Sequence, residues 1–123
     1  MESSFGFEEL EVWKRANAFR KKVFLAVKFF PVEEKYRLID QIVRSSRSVE
    51  ALIAEGYGRF SYPDQIHFFI QERSSLSETI NHLIVAFESN YITDEDLSLL
   101  KNDGKEIQKI MNGYISYLRN KIK

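Results

Sequence analysis

The sequence predicts an all-α protein, an antiparallel up-down-up-down four-helix bundle that uses residues 1–123 as a single domain. Three observations carry that prediction. Apolar residues recur at alternating steps of three and four along most of the chain. Two prolines and five glycines punctuate it sparsely, leaving four periodic segments of similar length. No segment alternates apolar and polar residues for the length of a strand.

The first helix is expected from about Phe7 to Phe30, because the residue before Pro31 is pushed out of the α region. Its apolar residues form two adjacent stripes. Leu10, Trp13, Phe24 and Val27 make one, and Val12, Ala16, Phe19, Val23, Ala26 and Phe30 make the other. Together they are wider than one coiled-coil seam requires.

The second helix is expected over about 33–57, with Glu33 at the positive end of its dipole. Its seam is Leu38, Ile42, Ser45, Val49, Leu52 and Gly56. The third is expected over 62–90, capped by Ser61 with Pro63 in its first turn. Its seam reads Ile66, Phe69, Arg73, Leu76, Ile80, Leu83 and Phe87, with the arginine as its odd member. The fourth is expected over 94–120, capped by Thr93, with a seam of Leu97, Leu100, Gly104, Ile107, Met111, Tyr114 and Leu118. Gly104 and Gly113 weaken that helix by roughly 1 kcal/mol each relative to alanine, which points to close packing of a neighbour. Rods of this length, roughly 36–42 Å at ~1.5 Å per residue, pack antiparallel when their connections are short.

Lys plus Arg and Asp plus Glu are equal at 18, so no global field draws the protein to nucleic acid or a membrane. The absence of cysteine excludes disulfides, thiolate metal sites and cysteine nucleophiles. The residues around Phe5 and Phe7 lack the pattern of a signal peptide, and no apolar run is long enough to cross a bilayer. A cytoplasmic location without membrane attachment is expected.

Gln41, Ser48 and Glu55 lie seven apart on the second helix, and so form a polar row beside its seam. With Arg44, and with Arg73, Ser75 and Glu78 of the third helix, they make a set expected to pair across a helix interface. Glu55 and Glu78 would accept there from Arg44, Arg73 or serine hydroxyls. The set suggests register rather than catalysis. Metal binding is the alternative, but Glu78 and His82 make one same-face pair where a di-iron bundle needs two, so no metal or cofactor is expected. No serine is coupled to a histidine and a carboxylate in a recognisable motif, and Gly56-Tyr57-Gly58-Arg59 is too short for a phosphate loop.

Nucleic-acid contacts, if made, would fall on Lys14, Arg15, Arg20, Lys21 and Lys22 of the first helix and on Arg37, Arg44, Arg47 and Arg59 of the second and its end. The tail Arg119, Lys121 and Lys123 would join them. One protomer offers only a sparse patch, whereas a ring repeats it and gains avidity. Sixteen Phe and Tyr residues plus Trp13 exceed what a small core consumes, so Phe5, Phe7, Trp13 and Phe19 are the expected interface between copies.

A set of short signatures in fixed order covers almost the whole chain. It begins with Phe7-Glu8-Glu9-Leu10-Glu11-Val12-Trp13 and Phe30-Pro31. Gln41-Ile42-Val43-Arg44 follows, then Ser48 and Ile53-Ala54-Glu55-Gly56-Tyr57-Gly58-Arg59. Phe68-Phe69 and Arg73-Ser74-Ser75-Leu76-Ser77-Glu78 complete it. This set resembles the four-helix-bundle proteins associated with the intervening sequence of bacterial 23S ribosomal RNA genes. The chain departs from that pattern at Glu50, Ala51 and Leu52, where proline, serine and asparagine are common. The resemblance implies a bacterial homopentamer of bundles with no established enzymatic activity. It extends to the accessory proteins of diversity-generating retroelements, which assist a reverse transcriptase and bind nucleic acid. The expected function is therefore a non-enzymatic assembly or adaptor role, with RNA, DNA or a nucleic-acid enzyme as partner. A ligand- or metal-binding bundle enzyme is the alternative.

Overall fold

Three short connections divide the chain into α1 (Glu11–Val27), α2 (Leu38–Tyr57), α3 (Tyr62–Glu88) and α4 (Asp94–Ile122). The structure is a computed structural model and describes residues 4–123, so the first three positions of the expected 1–123 domain lie outside the described residues. Among those residues there is no strand, and each helix packs on its two neighbours but not on the one diagonally opposite. The result is a four-cornered antiparallel bundle. The contact of α2 with α3 is the most extensive, and that of α1 with α4 the least.

The first two helices are shorter than the periodicity suggests, for local reasons. Phe7–Glu9 form a single 3-10 turn, and Leu10 is extended at φ −70° and ψ 129°, so α1 begins at Glu11. Beyond Pro31, Val32–Glu34 form another 3-10 turn, and Arg37 at φ −124° and ψ −104° breaks the backbone before Leu38. Glu33 therefore does not open α2 as expected, and Glu34 beside it has another role. Its carboxylate accepts from the Leu38 N–H at 3.5 Å and from the Tyr91 hydroxyl at 2.8 Å, tying the α1–α2 connection to the α3–α4 connection. That bond to a carboxylate raises the Tyr91 phenol above its ordinary pKa.

The later helices have side-chain caps. Ser61 Oγ accepts from the Asp64 N–H at 3.3 Å, and Thr93 Oγ1 from the Asp96 N–H at 3.0 Å. At the end of α3 the Asn90 N–H donates to Phe87 O and the Tyr91 N–H to Ala86 O, each at 2.9 Å. This is a Schellman closure in which Asn90 takes the left-handed conformation, φ 64°.

Four stripes meet in the core: Val12, Ala16, Phe19, Val23 and Val27 of α1; Leu38, Ile42, Val49 and Ile53 of α2; Ile66, Phe69, Leu76 and Leu83 of α3; and Leu97, Leu100, Ile107, Met111, Ile115 and Leu118 of α4. Each large apolar side chain so buried contributes roughly 1.5–3 kcal/mol. The α3 seam differs from the expected one. Arg73 is exposed and Ile80 half-buried, while Glu72, Thr79 and Ala86 face inward. Likewise Ile115 rather than Tyr114 completes α4, and Ile53 lies deeper than Leu52. Small residues explain the close approach of α2 and α3: a Cβ added at Gly56 would fall 2.6 Å from Phe69 Cε1. Gly113 packs against nothing, contrary to the role expected for it, because it faces solvent.

Candidate functional site

The polar residues of α2 and α3 gather on one edge of their shared interface. Ser45, Ser48, Ser75 and Thr79 are brought together because α2 and α3 run antiparallel, so that residues one turn apart on each helix meet in successive pairs. Thr79 Oγ1 lies 2.8 Å from Ser45 Oγ, and Ser48 Oγ lies 3.1 Å from Ser75 Oγ. Thr79 Oγ1 is also 2.9 Å from Ser75 O, and Ser45 Oγ 3.3 Å from Ile42 O. Two hydroxyl protons thus serve the Ser45–Thr79 pair and two backbone carbonyls.

Outside this ladder, Gln41, Arg44, Ser45, Ser48, Ser75 and Glu78 line an open groove of about 360 Å³. Five of the seven residues expected to pair are therefore together, but their bonds are not those expected. Arg44 reaches Asp40 on its own helix at 3.5 Å, and Glu78 is bonded to His82 at 3.1 Å. Glu55 and Arg73 are exposed and do not line the groove. A seven-residue step drifts by about 20° on a straight helix, which carries Glu55 away from Gln41 over two steps. The groove offers one guanidinium, one carboxylate, an amide and three hydroxyls, a set able to hydrogen-bond a polar group. No group of three potential metal-ligating side chains occurs among the described residues.

The most perturbed ionisable group is one the periodicity did not single out. Glu72 is 0% exposed, and neither of its carboxyl oxygens has a hydrogen-bond partner in the protein. Burial pushes its pKa up to about 8, against a weaker downward pull from the Arg73 guanidinium. Glu72 is therefore mainly a neutral carboxylic acid near neutral pH.

The basic residues do not converge. Arg15 pairs with Glu11 at 3.2 Å, Lys22 with Asp103 at 2.9 Å and Arg59 with Asp64 at 3.7 Å. Arg20 is half-buried in an ion pair with Glu50, whereas Lys14, Lys21, Arg37 and Arg47 are exposed.

Of the aromatic residues expected at an interface, Phe19 is corrected outright. It is 1% exposed, because its stripe faces the centre of the bundle, and it has no surface to offer another copy. Phe7 and Trp13 pack edge to face at 5.4 Å and are half-buried, while Phe5 is exposed. The broad apolar surface lies further along. Leu25, Phe29 and Leu99 are exposed around a groove of about 790 Å³ between α1 and the start of α4, floored by Phe87, Ile92 and Leu100.

Similar proteins place the chain. A protein of unknown function from the S23 ribosomal protein family of Bacteroides thetaiotaomicron has the same fold, with a TM-score of 0.78 and 28% sequence identity. The match covers 85% of this chain and 95% of that one. No curated protein matches the sequence. Residues 8–113 match the 23S rRNA-intervening sequence proteins, and the chain belongs to that family.

Proposed function

We propose that the protein is a non-enzymatic assembly protein that self-associates through the apolar groove between α1 and α4, and that the assembly engages nucleic acid. The observation that carries this reading is the exposure of Leu25, Phe29 and Leu99 around one groove. Contiguous apolar surface rimmed by an ion pair, here Lys22 with Asp103, has the composition of a protein interface. This replaces the beginning of α1 by its latter half as the interface. A pentamer is the assembly the sequence resemblance implies.

A neutral protomer binds phosphate weakly, and closure of a ring would present its cations several times over. The hydroxyl ladder supports a structural role for the polar edge, since its members bond mainly to one another and to the backbone. Sedimentation of the pure protein tests self-association. An oligomer at micromolar concentration is expected, and Leu99→Glu, which adds a charge at an exposed position, is expected to reduce it to monomers. A wild-type monomer refutes the assembly. Gel shifts against salt test the second half: affinity should fall as salt rises, and no shift with RNA or DNA at low salt refutes it.

A further inference from the structure

At the end of the bundle where α2 gives way to α3, aromatic rings step outward from the core. Phe69 is sealed inside, and Tyr114 packs on it with 5.3 Å between centroids. Tyr117 stacks on Tyr114 at 6.3 Å and is more than half exposed. Tyr57 and Tyr62, both partly exposed, lie close enough to act on the Tyr114 hydroxyl. Phe60 stands in the connecting loop, 104% exposed. Cations are interleaved with these rings. The Arg59 guanidinium lies 4.3 Å from the centroid of Phe68, and the Lys121 ammonium 5.2 Å from that of Tyr117.

The two ends of the bundle differ in charge. Residues 28–40 and 88–96, at the far end, carry seven carboxylates and three basic side chains. The aromatic end, made by residues 4–15, 55–64 and 114–123, carries five and six. A polyphosphate chain is repelled from the first end and tolerated at the second.

We propose that the aromatic end is a stacking platform for single-stranded nucleic acid, with bases on Phe60 and Tyr117 and phosphates beside Arg59 and Lys121. Exposed ring faces favour unpaired bases, because a duplex keeps its own faces stacked. The platform rests on the nucleic-acid reading above and moves the contact from the helix flanks to one end. In a ring of parallel protomers these ends share one side, so a strand could meet several of them.

Fluorescence anisotropy with labelled oligothymidylate, against its duplex with oligoadenylate, tests the proposal in the full-length protein at low salt. The single strand should bind more tightly than the duplex. Phe60→Ala removes a ring that touches solvent on all sides and so spares the core; it should weaken single-strand binding about five- to hundredfold. Phe60→Trp should retain binding and show indole quenching beyond that of Trp13, whereas Lys21→Ala on α1 should have a smaller effect. Wild-type binding that Phe60→Ala leaves unchanged overturns the platform while the broader nucleic-acid reading stands. No binding by the wild type overturns both. A change of sedimentation with Phe60→Ala, without loss of binding, assigns the ring to contacts between copies and also overturns the platform.

Discussion

Arg20 on α1 and Glu50 on α2 form an ion pair across the helix interface, and Asn17 donates to the second carboxylate oxygen of Glu50 at 2.9 Å. Helix α2 runs through Glu50 unbroken. Both charged side chains are largely covered, so solvent screens them only in part. Glu50→Ala leaves a half-buried guanidinium without its acceptor, and is expected to destabilise the fold by about 2 kcal/mol. Urea unfolding measures this. A loss below about 0.5 kcal/mol would mean that water replaces the carboxylate.

Glu72 makes stability depend on pH. Its pKa is raised from 4.5 to about 8 on folding, so the folded chain keeps a proton that the unfolded chain releases between those values. The contribution is complete below pH 4.5 and declines as pH rises toward 8, by up to about 1.4 kcal/mol per unit for one group. Glu72→Gln should flatten that decline, and Glu72→Leu should raise stability at pH 8, since it removes a buried carboxyl without partners. Unfolding midpoints across the range decide the matter; identical slopes for wild type and Glu72→Gln refute the assignment.

Two glycines should respond in opposite directions to alanine. Gly113 is exposed, with no atom within 4 Å of an added Cβ, so Gly113→Ala should stabilise α4 by about 0.5–1 kcal/mol. Gly56→Ala drives its methyl into Phe69 and should destabilise by about 1–3 kcal/mol. Thermal denaturation of the two variants gives the signs directly.

Asn90 is the residue whose backbone conformation the α3 closure dictates. Asn90→Ala should lower stability by about 1 kcal/mol, while Asn90→Gly should be neutral or favourable. Equal effects would show that the closure tolerates another geometry.

The architecture was legible because Leu38, Ile42, Leu76, Leu83 and Ile107 recur with helical spacing and are all buried. The inward face of α3 was not. Its strict seam steps from Phe69 through Glu72, Leu76, Thr79 and Leu83 to Ala86, but Glu72 and Thr79 are polar and Ala86 small. Hydrophobicity drew the reading to Ile80 and Phe87, and the same seven-residue step taken back from Ile80 lands on Arg73. The expected seam alternates three and four from Ile66, whereas the buried one takes two successive steps of three, Ile66 to Phe69 to Glu72. Following it in the sequence would have meant burying a carboxylate. The polar groove was partly legible, since helical phase brought Gln41, Arg44 and Ser48 to one edge, while helical drift separated Glu55. The exposed aromatics were harder, because Phe29 and Phe60 lie in connections, where no period assigns a direction.

The notch at Gly56 also governs how far α3 can slide along α2. A shift of one turn would bring Ser45 beside Ser75 and Ser48 toward Glu72, so hydroxyl pairing alone tolerates that neighbouring alignment. Phe69 does not, because only the bare backbone at Gly56 admits its ring edge. A single missing methyl thus acts as the detent that sets the axial offset of the two rods, and filling it would loosen their alignment as well as their packing.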